Sequence, residues 1–196
     1  MKIWRLCADV DHYANFTTNP MLSHEQMQSF DGRSHASSWC PLELQCIDDT
    51  PLPLGDAVGA DWGFLVSDAA RKVFEQLGES QIEYLPMIHS EQTYYIMNVL
   101  GSVDCLDRQK SVCLYSPSIK DRILFVNKYH FNECLVGQKK VFRLKDEPYR
   151  GPFVTEEVVF AIRSAGLKGF CFMLVWDGQD IPGRKMSFDG VLSVEY

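Results

Sequence analysis

Between residues 82 and 144 the chain repeats one pattern: short runs dense in Val, Ile, Leu, Tyr and Phe, set apart by polar or turn-forming residues. The runs are "IEYLPMI" (82–88), "TYYIMNVL" (93–100), "SVCLYS" (111–116), "RILFVNKYHF" (122–131) and "KKVFRL" (139–144). β-Branched and aromatic side chains pack well on a pleated surface, and runs this short, punctuated by Pro, Ser, Asn and Gly, read as strands. The middle of the chain is therefore a sheet, with the first two runs pairing across the polar "HSEQ".

Helical signals flank this region. In "GFLVSDAARKVFEQLGE" an apolar run ends at Ser67, a good N-cap, and Asp68 complements the helix dipole. Ala70, Val73, Phe74 and Leu77 then fall at helical spacing before Gly78. "VTEEVVFAIRSAGLKGFCFMLVW" repeats the device: Thr155 as N-cap, Glu156 and Glu157 in the first turn, Val158, Val159 and Ile162 on one face, Gly166 as stop, then a dense apolar strand. Towards the N-terminus, "KIWRLCADV" and "LELQCI" alternate as strands do, whereas residues 11–40 show little periodicity and residues 48–62 hold two glycines and two prolines. These two stretches read as a long excursion and a surface loop. The expected fold is α+β: one domain over residues 1–196, with a central, mostly antiparallel sheet and two or three helices.

Charge narrows the partners. Nineteen basic against twenty-six acidic residues give −7, which repels phosphate backbones and anionic lipid and favours a basic partner. Seven cysteines without a C-x-x-C pair read as reduced thiols, and "MKIWRLCADV" has no apolar core of a signal peptide. With no apolar run long enough to span a membrane, a cytoplasmic location is expected. No two histidines fall at the short spacings of a local ligand pair, and the G-x-G-x-x-G, G-x-x-x-x-G-K-[ST], G-x-S-x-G and H-E-x-x-H motifs do not occur. Neither a metal nor a cofactor is expected.

The stretch that most resembles a chemical site is "YYIMNVLGSVDCLDRQKS" (94–111). Cys105 lies between Asp104 and Asp107, and two carboxylates raise a thiol pKa instead of lowering it, so a nucleophilic cysteine is disfavoured. Asp104 and Asp107 could serve as an acid/base pair with a histidine from elsewhere, making a small hydrolase. The structural alternative has Asp104 or Ser102 capping a turn, Val103 and Leu106 docked in the core, and Arg108 paired with an aspartate.

In order along the chain, "FLVSDAARKVFE", "IEYLPM", "YYIMNVLGSVDCLDRQKS", "KVFRL" and "FVTEEVVFAIRSAGLKGFCF" resemble the bacterial immunity-protein family numbered eleven, over about residues 62–174. The most specific element is the box holding Asn98, Asp104, Leu106, Asp107 and Arg108. The resemblance implies a non-enzymatic antidote that binds and blocks a cognate toxin, with no catalytic residue to carry across. Many such toxins are nucleases with basic grooves, which would suit an acidic inhibitor.

If the shared middle is scaffold, discrimination between toxins falls to segments free to vary: residues 9–40, 48–61 and 177–190. The candidates there are Asp48, Asp49, Asp56 and Asp177 for steering, with Trp39 and the adjacent Trp62 as aromatic anchors.

Overall fold

A computed structural model of the chain describes residues 1–48, 50, 52–61 and 63–178. The first strands are β1 (Ile3–Ala8), β2 (Asn15–Asn19), β3 (Glu43–Cys46), β4 (Ala57–Ala60), β5 (Gly63–Ser67), β6 (Ile82–Met87) and β7 (Tyr94–Val99). They are followed by β8 (Val112–Tyr115), β9 (Ile123–Lys128), β10 (Val141–Phe142), β11 (Phe153–Thr155) and β12 (Phe170–Trp176). Four short helices punctuate them: α1 (His24–Gln28), α2 (Asp68–Gln76), α3 (Glu133–Val136) and α4 (Glu156–Ser164).

The described residues are thus mostly β, in three sheets, and the expected α+β arrangement around one central sheet is incorrect. All the runs read as strands do pair, and α2 and α4 form where their caps predict. Ser67 Oγ accepts from the Ala70 amide at 3.1 Å, whereas Thr155 occupies the N-cap position of α4 without a side-chain cap bond. What changes the class is that both stretches read as loops also contribute strands. β2 lies inside the excursion as "NFTTN", and β4 inside the loop as "AVGA". Asn, Gly and Ala are poor strand formers and interrupt the Phe, Thr and Val beside them, so pairing with neighbours is what puts these segments in a sheet.

One sheet has the order β3-β2-β4-β5-β7-β6, antiparallel except for β2 beside β4. It curls until its ends meet. Leu44 N donates to Ile88 O and Ile88 N to Leu42 O, each at 2.8 Å, with Glu43 opposite Ile88 in a parallel bridge. Closure gives edge backbone groups partners they would otherwise lack. Every strand of this sheet sends side chains inward at period two: Phe16, Leu44, Val58, Leu65, Leu85, Met87, Tyr94 and Ile96.

The outer face of the curled sheet, through Phe64, Val66, Met97 and Val99, packs against α2, α4 and the second sheet, whose order is β10-β11-β1-β12. Leu6 and Val154 face this shared core, while their neighbours Ile3 and Phe153 face a third cluster containing Cys105, Leu106, Val126, Phe131, Phe142 and Trp176. Both large sheets therefore bury two faces, at roughly 1.5–3 kcal/mol for each large apolar side chain removed from water.

A close backbone approach joins the sheets. Asp56 N and Ala57 N both donate to Lys168 O, at 2.8 and 3.0 Å. The next residue, Gly169, has φ +82°, and a Cβ there would lie 2.1 Å from Ala57 O, so only glycine fits. No helix among the described residues is long and apolar enough to cross a membrane.

Candidate partner interface

The box around Asp104 is built into the frame. Asn98 on β7 is buried, and its Nδ2 donates to Arg33 O at 2.8 Å and Glu83 Oε2 at 3.0 Å. After β7 the chain turns at Gly101, and Val103 pairs with Leu144 in a parallel bridge, its N donating to Arg143 O. Leu106 bridges to Phe131, and Cys105 O accepts from Asn132 N at 2.8 Å. Cys105 and Leu106 are thereby held in the third cluster.

The polar members of the box are each engaged. Lys145 Nζ donates to Asp104 Oδ2 at 3.0 Å and Arg108 to Asp104 Oδ1 at 2.7 Å, and these two cations hold the Asp104 carboxyl below the usual carboxylate range. The Arg108 fork also grips Asp146 through Nε at 2.9 Å and a terminal nitrogen at 3.0 Å. Asp107 Oδ1 accepts from the amides of Gln109 and Lys110, closing a turn. Asp104 and Asp107 do not share a helical turn, and burial pushes the Cys105 thiol up to about 12, away from a reactive thiolate. Among the described residues, no three His, Cys, Asp or Glu side chains gather as metal ligands.

The loop candidates have internal partners as well. Trp39 is half-buried against the curled sheet, donates its Nε1–H to Pro86 O at 2.9 Å and meets the Phe30 ring edge-on. Asp48 accepts from the amide and side chain of Asn15 at 2.8 and 3.0 Å, which lowers its pKa and ties β2 to the segment after β3. Asp56 accepts from Ser67 Oγ at 2.7 Å and Lys168 N at 2.9 Å, spanning the two large sheets. Asp177 directly follows β12 and is half-buried. Asp49, Trp62 and residues 179–190 of the tail loop lie outside the described residues.

The distribution of charge was not read from the sequence, although counting by segment would have found it. Residues 1–100, which hold every strand of the curled sheet together with β1 and α2, carry five basic against fourteen acidic residues, a net −9. Residues 101–178 hold twelve against nine, a net +3. The protein is therefore divided electrostatically along its fold. Asp11, Glu25, Glu43 and Glu91 stand exposed on the acidic half. On the other half, β8 and β9 form a separate two-stranded ribbon.

Comparison with known proteins supplies what geometry alone does not. The family model of an immunity protein family, Imm11, matches residues 45–177. The matched segment runs from the end of β3 past the end of β12 and includes the whole Asp104 box. No curated protein matches the chain.

Proposed function

Because the chain belongs to the Imm11 immunity protein family, we propose that it protects a bacterial cell by binding its cognate toxin one to one in the cytoplasm and blocking it. What supports binding over chemistry is the state of the box. Asp104 is held ionised by Lys145 and Arg108, Asp107 closes a turn, and the Cys105 thiol is buried, so the residues most like an active site serve the frame.

The net −9 of the curled-sheet half supports a basic surface on the toxin, such as the groove of a nuclease. Exposed carboxylates would raise the association rate and screen out acidic partners, while affinity would come from apolar contacts. Toxin activity titrated with purified protein tests the proposal. A sharp end point at one equivalent is expected. Protection at far less than one equivalent would mean turnover and defeat it, as would equal killing of cells with and without the protein.

A further inference from the structure

The ribbon of β8 and β9 is unlike the other sheets. Val112, Leu114 and Tyr115 on β8 are 51%, 55% and 43% exposed, Ile119 in the turn 48%, and Leu124 on β9 46%. Its other face is closed, since Ile123 and Val126 are buried in the third cluster. Val112 and Leu114, two positions apart, share the open face, while Tyr115 pairs with Ile123 and stays exposed at the margin of the other. Exposed large apolar side chains grouped in this way mark a contact surface.

The edge of β8 adds a second feature. Among the described residues β8 pairs only with β9, which leaves the outer row of its N–H and C=O groups without a strand. Edge strands are ordinarily blunted by charge, proline or shortness. The curled sheet closes on itself, β10 is two residues long and β12 has no exposed residue. β8 reads Val-Cys-Leu-Tyr, with neither charge nor proline and three of its four residues exposed.

The rim supplies the polarity. Lys120 and Arg122 are exposed at the ribbon's turn beside Asp121, and Lys110, 3.9 Å from Asp107, is exposed before β8, on the half of the chain that carries +3. This is the wrong sign for a basic groove and the right sign for an acidic segment.

We propose that β8 is a docking edge onto which an extended segment of the toxin, apolar with acidic side chains at its flanks, adds as a third strand. The inference rests on the immunity reading above. Main-chain hydrogen bonds supply affinity in this mode, Val112 and Leu114 the apolar contact, and Lys120 and Arg122 the selection for acid. The toxin then touches both poles, presenting a basic surface to the curled sheet and an acidic strand to the ribbon.

Calorimetry of the full chain against a catalytically inactivated cognate toxin tests this, together with amide exchange of the complex. Leu114→Lys, and Lys120→Glu combined with Arg122→Glu, should each raise Kd at least tenfold, with unchanged far-UV circular dichroism. Amides 112–116 should exchange more slowly in the complex than in the free protein. The exposed Lys120 and Arg122 pair keeps the test open should Leu114→Lys fail to fold. Wild-type binding with unaffected variants, or no added amide protection, overturns the docking edge and spares the immunity reading; no wild-type binding overturns both. A dimer of this chain abolished by Leu114→Lys, or binding of the wild type to phosphatidylserine vesicles, would assign the ribbon to another occupant and also overturn it.

Discussion

Arg5 on β1 and Glu147, 142 positions away in sequence, form a 3.0 Å ion pair that is almost wholly enclosed. The Arg5 guanidinium also lies over the rings of Tyr129 and Phe153, 5.4 and 5.3 Å from their centroids, and the Tyr129 hydroxyl donates to the same Glu147 carboxylate. Removing one charge of an enclosed pair strands the other. Glu147→Ala should therefore cost about 3–5 kcal/mol, whereas Arg5→Met with Glu147→Leu should cost distinctly less. Urea midpoints for the two variants provide the check, and a single-mutant loss under about 1 kcal/mol would show that Arg5 finds water instead.

Glu83 gives stability a pH dependence of known sign. Burial opposes its charge, but donors from Ser34 Oγ, the His35 amide, Asn98 Nδ2 and the Ala36 amide together hold its pKa below the ordinary value of 4.5. A carboxyl with a depressed folded pKa contributes stability above its unfolded pKa and loses it as pH falls through the folded one. Glu83→Gln should lower stability at pH 7 by about 1–2 kcal/mol. The gap to wild type should begin to close as pH falls below the ordinary carboxyl value of 4.5, in denaturation curves collected across pH.

Asp104→Asn and Asp107→Asn should leave toxin neutralisation intact at one equivalent, because Asp104 is engaged by Lys145 and Arg108 and Asp107 closes a turn. Stability should fall for Asp104→Asn by about 1 kcal/mol or less, since the pairs with Lys145 and Arg108 are exposed. Loss of protection by a variant with a native melting curve would restore the hydrolase reading.

Trp39→Ala should act on the fold. The indole covers the curled sheet and its N–H reaches Pro86 O, so truncation should cost about 2 kcal/mol in a denaturant titration. Toxin affinity, measured well below the melting temperature, should change less than threefold. A large loss of affinity at unchanged stability would make Trp39 the anchor that its place in a polar stretch led the sequence reading to expect.

Much of the frame was legible because its signals are local. The spacing of Ala70 and Phe74, the cap at Ser67 and the stop at Gly78 depend on neighbours a few positions away, whereas the thiol of Cys105 is raised chiefly by burial, with Asp104 adding to it. Which aspartates are engaged inside the molecule was not legible. Asp48 looks like any solvated turn former until Asn15 is brought beside it, and Asp56 until Ser67 and Lys168 are.

By itself, the amino-acid sequence determined the strands of the middle, both long helices and the family, since periodicity, caps and motif order are properties of contiguous residues. Only the tertiary structure decided the class of the fold, by making strands of "NFTTN" and "AVGA" and by closing β3 onto Ile88. Those segments are short and mix strand formers with Asn, Gly and Ala, so local preference does not decide them. Their conformation is set by hydrogen-bond partners and apolar faces distant in sequence, which a reading of neighbouring residues does not contain.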